Sequence, residues 1–274
     1  MHYDPIKDIF SKIIKRFPPA RILFYKILDI MFLRTWYVKR ELKKLRKNFG
    51  SNNIEIYDAG TGYGQYSYFM LDKMKPCSIY AADIKKSWVE DAREFYSQKN
   101  IKNISFGVED LTEINYENRF NLIISIDVME HIEDDVKVFK NFFEALRPGG
   151  YLMINTPSNL GGSDAHDEKD ESFIAEHARN GYSKEDLESK LRSAGFDICK
   201  FTYTYGRWGN IAWRLGIKYP MLMLNISKLF FLLLPFYYLF AMPFSFFFMA
   251  ADYYSLNKKG SGINLIAKKL TKYD

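Results

Sequence analysis

Asp58-Ala59-Gly60-Thr61-Gly62-Tyr63-Gly64 sets a carboxylate two positions ahead of a glycine-rich turn. Glycines at such a turn let the backbone approach a ligand closely and adopt dihedrals that other residues avoid. A turn that cradles a dinucleotide pyrophosphate reads GxGxxG. Here the spacing is GxGxG and residue 65 is Gln. Asp58 would repel a pyrophosphate and attract an ammonium group. Asp83 follows nineteen positions after Gly64, where a carboxylate can accept hydrogen bonds from two ribose hydroxyls. Glu109-Asp110 and Asp127-Val128-Met129-Glu130-His131 come next. His131 is the leading general-base candidate, because imidazole takes up a proton near neutral pH. Glu130-His131 has no clear third ligand in the sequence, so no metal site is assigned.

These residues need a frame that gathers them. NIEIYDAG, SIYAADI, NISFGVED, FNLIISIDV and GYLMINTPS are five β-rich runs. The windows 64–73, 85–98 and 134–147 read as helices between them, a pattern of βαβ units and a parallel sheet. In the third window, Val136, Phe139, Phe142, Phe143 and Leu146 share a face, and Pro148-Gly149-Gly150 ends the helix. The acidic residues then fall at the carboxyl ends of successive strands, where an open α/β sheet collects its ligand. Ser183 to Asp186 start a further helix, Gly195 stops it, and FDICKFTYTYG reads as a sixth strand. The polar connection 155–183 overhangs the acceptor side, bringing His166 and His177 as further catalytic candidates and Glu176, Arg179 and Tyr182 as substrate contacts.

DAGTGYG, AADI, VEDL, IDVMEHIEDD and LRPGGYLMINTPS, in that order, resemble the motifs of the class I S-adenosylmethionine-dependent methyltransferases, in particular the branch acting on quinones and small metabolites. The resemblance implies an α/β fold: a Rossmann-like seven-stranded sheet with helices on both faces, its last strand antiparallel between the fifth and sixth. It implies that S-adenosylmethionine is the cofactor. Asp58, Ala59, Gly60, Thr61, Gly62 and Gly64 would surround its methionine part and Asp83 its ribose. Glu109, Asp110 and Leu111 would border the adenine and Ile84 would pack on its face, with Asp127 on the floor between cofactor and acceptor. IDVMEH is not an Asn-Pro-Pro-aromatic motif, which argues against a DNA-amine methyltransferase.

The chain has 274 residues and a net charge of +6, with thirteen Lys or Arg against four Asp or Glu in the first fifty positions. That segment carries apolar residues at helical spacing, among them Ile22, Leu23, Ile27 and Ile30, and suggests two basic amphipathic helices broken at Pro18-Pro19. Cys77 and Cys199 show no pairing rhythm and read as buried small hydrophobes in a reducing compartment.

Leu229 to Ala251 contains no charge. If GINLIAKKL, residues 262–270, is the last strand, both ends of an insertion over 206–261 lie on one side of any membrane. The 35 residues from Ile217 to Ala251 are short for two crossings of about 20 residues each plus a turn, so an in-plane or re-entrant hairpin with prolines at its breaks is expected. The expected organisation is therefore basic helices over 1–49, a methyltransferase domain over 50–205 and 262–274, and the insertion between. The expected partners are a small-molecule or lipid substrate and the cytoplasmic face of a membrane; no base-reading module points to nucleic acid. The rival readings are a soluble-metabolite enzyme with the insertion as a homodimer interface, an NAD-dependent oxidoreductase, and an inactive membrane scaffold.

Overall fold

A computed structural model describes residues 17–161 and 178–271. Seven strands form one sheet in the order β3-β2-β1-β4-β5-β7-β6. They are β1 (Ile54–Ala59), β2 (Cys77–Asp83), β3 (Ile104–Val108), β4 (Phe120–Ile126), β5 (Leu146–Pro157), β6 (Asp197–Thr204) and β7 (Gly262–Lys268). The first five run parallel, and β7 is antiparallel to both of its neighbours. The order reverses between β1 and β4, which opens the crevice where such sheets bind ligands.

The central strands are buried on both sides, as expected of a sheet covered by helices on each face. Tyr57, Phe120, Ile123, Leu152 and Leu265 look one way, and Ile56, Leu122, Ile124, Met153 and Ile266 the other. On the first face pack α5 (Asp135–Ala145) and α6 (Lys184–Ser193); on the second pack α2 (Leu33–Asn48), α3 (Gln65–Lys73) and α4 (Lys86–Gln98). Ser183 caps α6 by accepting from the Asp186 N–H at 3.0 Å, and Gly195 ends it at φ +103°. Helix α5 stops earlier than its apolar pattern suggests. Leu146 already belongs to β5, and the buried face is Val138, Phe139, Phe142 and Ala145, with Phe143 half-buried. Cys77 is buried as expected, whereas Cys199 is exposed on β6.

The first predicted N-terminal helix falls outside the described residues. Pro18 and Pro19 open α1 (Pro18–Met31), where their missing N–H groups cost nothing. A further break, which the sequence reading did not place, falls at the extended Phe32 between α1 and α2. Helix α1 is turned inside out relative to its composition. Arg21 and Tyr25 are its buried residues, while Leu23, Ile27 and Ile30 are 58%, 42% and 45% exposed.

Between β6 and β7 the chain forms a helical excursion: α7 (Arg207–Trp213), a π-turn (Arg214–Lys218), α8 (Tyr219–Ile226), a 3-10 turn (Lys228–Leu232) and α9 (Leu234–Tyr254). Since β6 and β7 are neighbours, it leaves and returns at one rim of the sheet. Pro220 and Pro235 open α8 and α9, as expected for breaks, but Pro243 lies inside α9. The Tyr237 and Tyr238 hydroxyls donate to the carbonyls of Leu215 and Gly216, at 2.7 and 3.0 Å, satisfying groups of the π-turn. The base is pinned by Asp252, fully buried, which accepts from the Gly209 N–H at 2.9 Å, the Tyr37 hydroxyl at 2.8 Å and Asn257 Nδ2 at 3.1 Å. By length and composition α9 could cross a membrane, and little of its apolar stretch is buried. Phe236, Leu239, Phe240, Phe244 and Phe247 are each 63–72% exposed.

Candidate active site

The turn after β1 uses three left-handed glycines, Gly60, Gly62 and Gly64, at φ +87°, +53° and +78°. An L-residue is strained at each, which accounts for the GxGxG spacing. A side chain on Gly60 would also collide with Val128. Asp58 lies beneath this turn, buried, and accepts from Ser67 Oγ at 2.6 Å and Thr61 Oγ1 at 2.9 Å. Burial pushes its carboxyl from the ordinary 3.8 up to about 6, against those hydrogen bonds, with the Asp83 charge adding to the rise. Asp83 is itself nearly buried. Its Oδ2 accepts from the Gly62 N–H and its Oδ1 from the Lys85 N–H, both at 2.9 Å, so the carboxylate is oriented by the turn it faces. Ile84 follows it, 64% exposed, as an uncovered apolar side chain.

Two expectations for the adenine border separate here. Asp110 is exposed and Leu111 buried beside it. Glu109 turns away. It accepts from Tyr57 at 2.7 Å, Tyr80 at 2.8 Å and Tyr116, and is occupied in cross-linking strands β1 and β2 to the chain after β3. It serves as a structural anchor.

At the end of β4, Asp127 adopts φ +53°, a conformation that is uncommon for a residue other than glycine and tends to collect at functional sites. Its N–H donates to Asn155 O at 2.9 Å, and its carboxylate is ion-paired with Arg34 from the first turn of α2. His131 lies exposed on the short turn after β4, and Glu130 points inward, 2% exposed, accepting from Thr156 Oγ1 at 3.1 Å. Burial raises the Glu130 carboxyl, while neighbouring His131 and Arg34 oppose the rise. His166, Glu176 and His177 lie outside the described residues. Arg179 and Tyr182, expected as substrate contacts, instead hold Asp135: Tyr182 donates to it at 2.7 Å and Arg179 forms an ion pair with it. Their side chains fasten the end of the connection to α5. Among the described residues no group of three or more His, Cys, Asp or Glu is placed to hold a metal.

The sequence reading missed Arg34, Tyr66, Asn155 and Asn264. Among the described residues no hydrogen bond reaches Arg34 Nε or the buried Nδ2 atoms of Asn155 and Asn264, and the buried Tyr66 hydroxyl has only the Arg34 guanidinium close by. Asn155 and Asn264 are paired in register across β5 and β7, and Tyr66 lies near the charges of Arg34 and Asp58. An unmet buried polar group costs about 1–3 kcal/mol, so several along one rim mark where a polar ligand completes them. The anionic turn, the oriented Asp83, exposed Ile84 and the Arg34 guanidinium, paired with Asp127 but with Nε unmatched among the described residues, fit an ammonium, a ribose, an adenine and a carboxylate, the parts of S-adenosylmethionine.

Residues 51–196 match the family model described as a methyltransferase domain. The chain belongs to the class I S-adenosylmethionine-dependent methyltransferases. It is 30% identical over 146 residues to phosphoethanolamine N-methyltransferase 1 of Triticum aestivum, covering 52% of this chain and 28% of that one. It is 31% identical over 106 residues to erythromycin 3''-O-methyltransferase of Saccharopolyspora erythraea, covering 38% and 35%. The chain thus spans about a third of the length of these curated relatives. Among solved structures, Haemonchus contortus phosphoethanolamine N-methyltransferase 2 in complex with S-adenosyl-L-methionine superposes with a TM-score of 0.62 at 18% identity, covering 96% of this chain and 60% of that one. The cyclase SpnF superposes at 0.57 with 14% identity, covering 84% and 80%. At these identities the likeness concerns the fold, which this methyltransferase shares with an enzyme of different chemistry.

Proposed function

We propose that this methyltransferase transfers a methyl group to an oxygen of an acceptor carried in or on a membrane, such as a lipid, quinone, isoprenoid or lipid-linked glycan, from the cytoplasmic face. The carrying observation is the joining of two features at one rim: Arg34, ion-paired to Asp127 in the site, begins the same helix whose Trp36 and Tyr37 pack against the apolar excursion. Trp36 also donates to Asp29 O of α1 at 2.7 Å. The outward apolar stripe of α1 and that of α9 are thus tied together next to the site. A monomer seldom leaves this much apolar surface in water.

S-adenosylmethionine, when bound, supplies a sulfonium methyl that is already electrophilic. The protein's part is alignment and exclusion of water. Asp58 would hold the ammonium, Asp83 the ribose hydroxyls and Arg34 the carboxylate. His131, exposed at the mouth, would take the proton from the acceptor hydroxyl, whose oxygen would receive the methyl as the sulfonium–carbon bond breaks and the neutral thioether leaves. Glu130, buried beside it, balances the imidazolium charge that results.

The relatives named above act on phosphoethanolamine and on an erythromycin hydroxyl, so their names leave the acceptor atom of this chain open. Incubating the protein with a membrane lipid extract and methyl-labelled cofactor, followed by mass spectrometry, tests the reading. A labelled lipid supports it, and label appearing only in a water-soluble fraction rejects it.

A further inference from the structure

The cations of α2 recur at Lys39, Arg40, Lys43, Lys44 and Lys47, a spacing that gathers them on one face of the helix. With Trp36 of the same helix they line a groove of about 540 Å³ whose other wall is Tyr253 and Tyr254. Two anions touch this region and both are already matched. Asp29 is ion-paired with Lys39. Glu41, buried beneath the helix, meets Lys200 at 2.7 Å, Arg40 at 3.0 Å and Lys44 at 3.4 Å. Among the described residues Lys43 and Lys47 make no ion pair, and both are exposed.

Arg40, already paired with Glu41 through Nε, is held in place. Its Nη1 donates to Tyr253 O at 2.9 Å, and its guanidinium lies over the rings of Tyr37 and Tyr253 at 4.8 and 4.4 Å. Such a clamp lowers the entropy lost when an oxyanion binds. The groove is thus a net cationic recess with an aromatic wall, and that wall is the end of α9. Phe236, Phe240, Phe244 and Phe247 recur at spacings of four, four and three along the same helix, one exposed stripe parallel to its axis. With that stripe turned into a bilayer, the aromatic end of the helix would come to the headgroup layer.

We infer that the groove between α2 and the end of α9 is a binding site for the phosphate headgroup of an anionic phospholipid, seating the enzyme on the membrane in one orientation. The stripe supplies insertion, and Arg40, Lys43, Lys44 and Lys47 supply the charge match. Trp36 and Tyr254 sit at the boundary between them. This rests on the membrane reading of the proposed function, but it makes a separate claim about lipid charge.

The test is co-sedimentation of the full chain with vesicles of phosphatidylcholine alone and of phosphatidylcholine mixed with phosphatidylglycerol. Wild type is expected to bind the mixed vesicles more tightly. Lys43→Ala with Lys47→Ala should remove about 30-fold of that preference, at about fivefold for each lysine near the surface, while leaving binding to neutral vesicles unchanged. Lys99→Ala with Lys102→Ala, an equal loss of charge away from the groove, should keep the preference. Equal binding of wild type to both vesicles, or equal losses in the two double variants, overturns the headgroup site and leaves the membrane reading standing. No binding to either vesicle overturns both. S-adenosylhomocysteine binding, measured in parallel, shows that each variant is folded.

Discussion

Arg34 and Asp127 form an ion pair between the first turn of α2 and the end of β4, closing the N-terminal helices over the crevice where the strand order reverses. The pair brings a cation from a segment far upstream in the sequence onto the floor of the site. Among the described residues no hydrogen bond reaches the buried Arg34 Nε beside it. Replacing Arg34 by Met should weaken S-adenosylhomocysteine binding by about 10- to 100-fold, the range expected for a charge-assisted bond to a carboxylate. Arg34→Lys should restore only part of it, because an ammonium cannot present the planar fork. Calorimetric titration checks this; unchanged affinity in Arg34→Met would remove Arg34 from the cofactor site.

Asp58 should make cofactor affinity and stability respond to pH in opposite directions. Its folded-state carboxyl stands at about 6 against an ordinary 3.8. The folded chain therefore binds this proton more tightly than the unfolded chain, and the associated stability is present below 3.8 and lost as pH rises through about 6. Ammonium binding needs the ionised form, so affinity should fall about tenfold per pH unit below that value. Asp58→Asn, which keeps one acceptor oxygen for Ser67 and Thr61, should flatten both profiles and abolish tight binding. Melting curves and titrations over the acid range measure both.

The strands and the GxGxG turn could be read from the sequence because period-two and period-3.6 patterns and left-handed glycines are local signals, whereas the last strand's place between the fifth and sixth came only from the family resemblance. The orientation of α1 could not. Helical spacing tells which residues share a face, and here the apolar face of Leu23, Ile27 and Ile30 points outward because Arg21 finds a buried anion in Asp91 at 2.8 Å. Glu109 was misread for a related reason. Its place after β3 is local information, but the three tyrosines that turn it inward come from β1, β2 and the chain before β4. Arg34 belongs with these cases, since only tertiary folding carries the basic segment onto Asp127.

His131 and Glu130 can be told apart by kinetics. His131→Ala should lower kcat by about 10²- to 10⁴-fold, the range for loss of a general base, with S-adenosylhomocysteine affinity unchanged. Glu130→Gln keeps the contact to Thr156 and removes the buried charge, so its loss should be smaller. Single-turnover assays across pH decide the matter. If His131→Ala keeps its rate and Glu130→Gln loses it, the proton goes to Glu130.

The hairpin's attachment depends on Asp252 and on the absence of a side chain at Gly209. A Cβ there would stand 2.9 Å from both the Asp252 carboxylate and Leu33 Cδ2. Neither can retreat easily, because Asp252 is held by Tyr37, Asn257 and the Gly209 N–H, and Leu33 is fully packed at the start of α2. Gly209→Ala should therefore cost about 1–3 kcal/mol by overpacking. Asp252→Ala should cost a similar amount, since it strands the buried Gly209 N–H and leaves Tyr37 only the Asp252 backbone carbonyl. The strain falls where the excursion joins α2 at Leu33, on elements other than the strands that carry Asp58 and Asp83. Both variants should consequently expose the 207–257 segment to protease and lower the denaturation midpoint while S-adenosylhomocysteine affinity holds. Loss of cofactor affinity in step with stability would instead show that hairpin and sheet unfold as one cooperative unit.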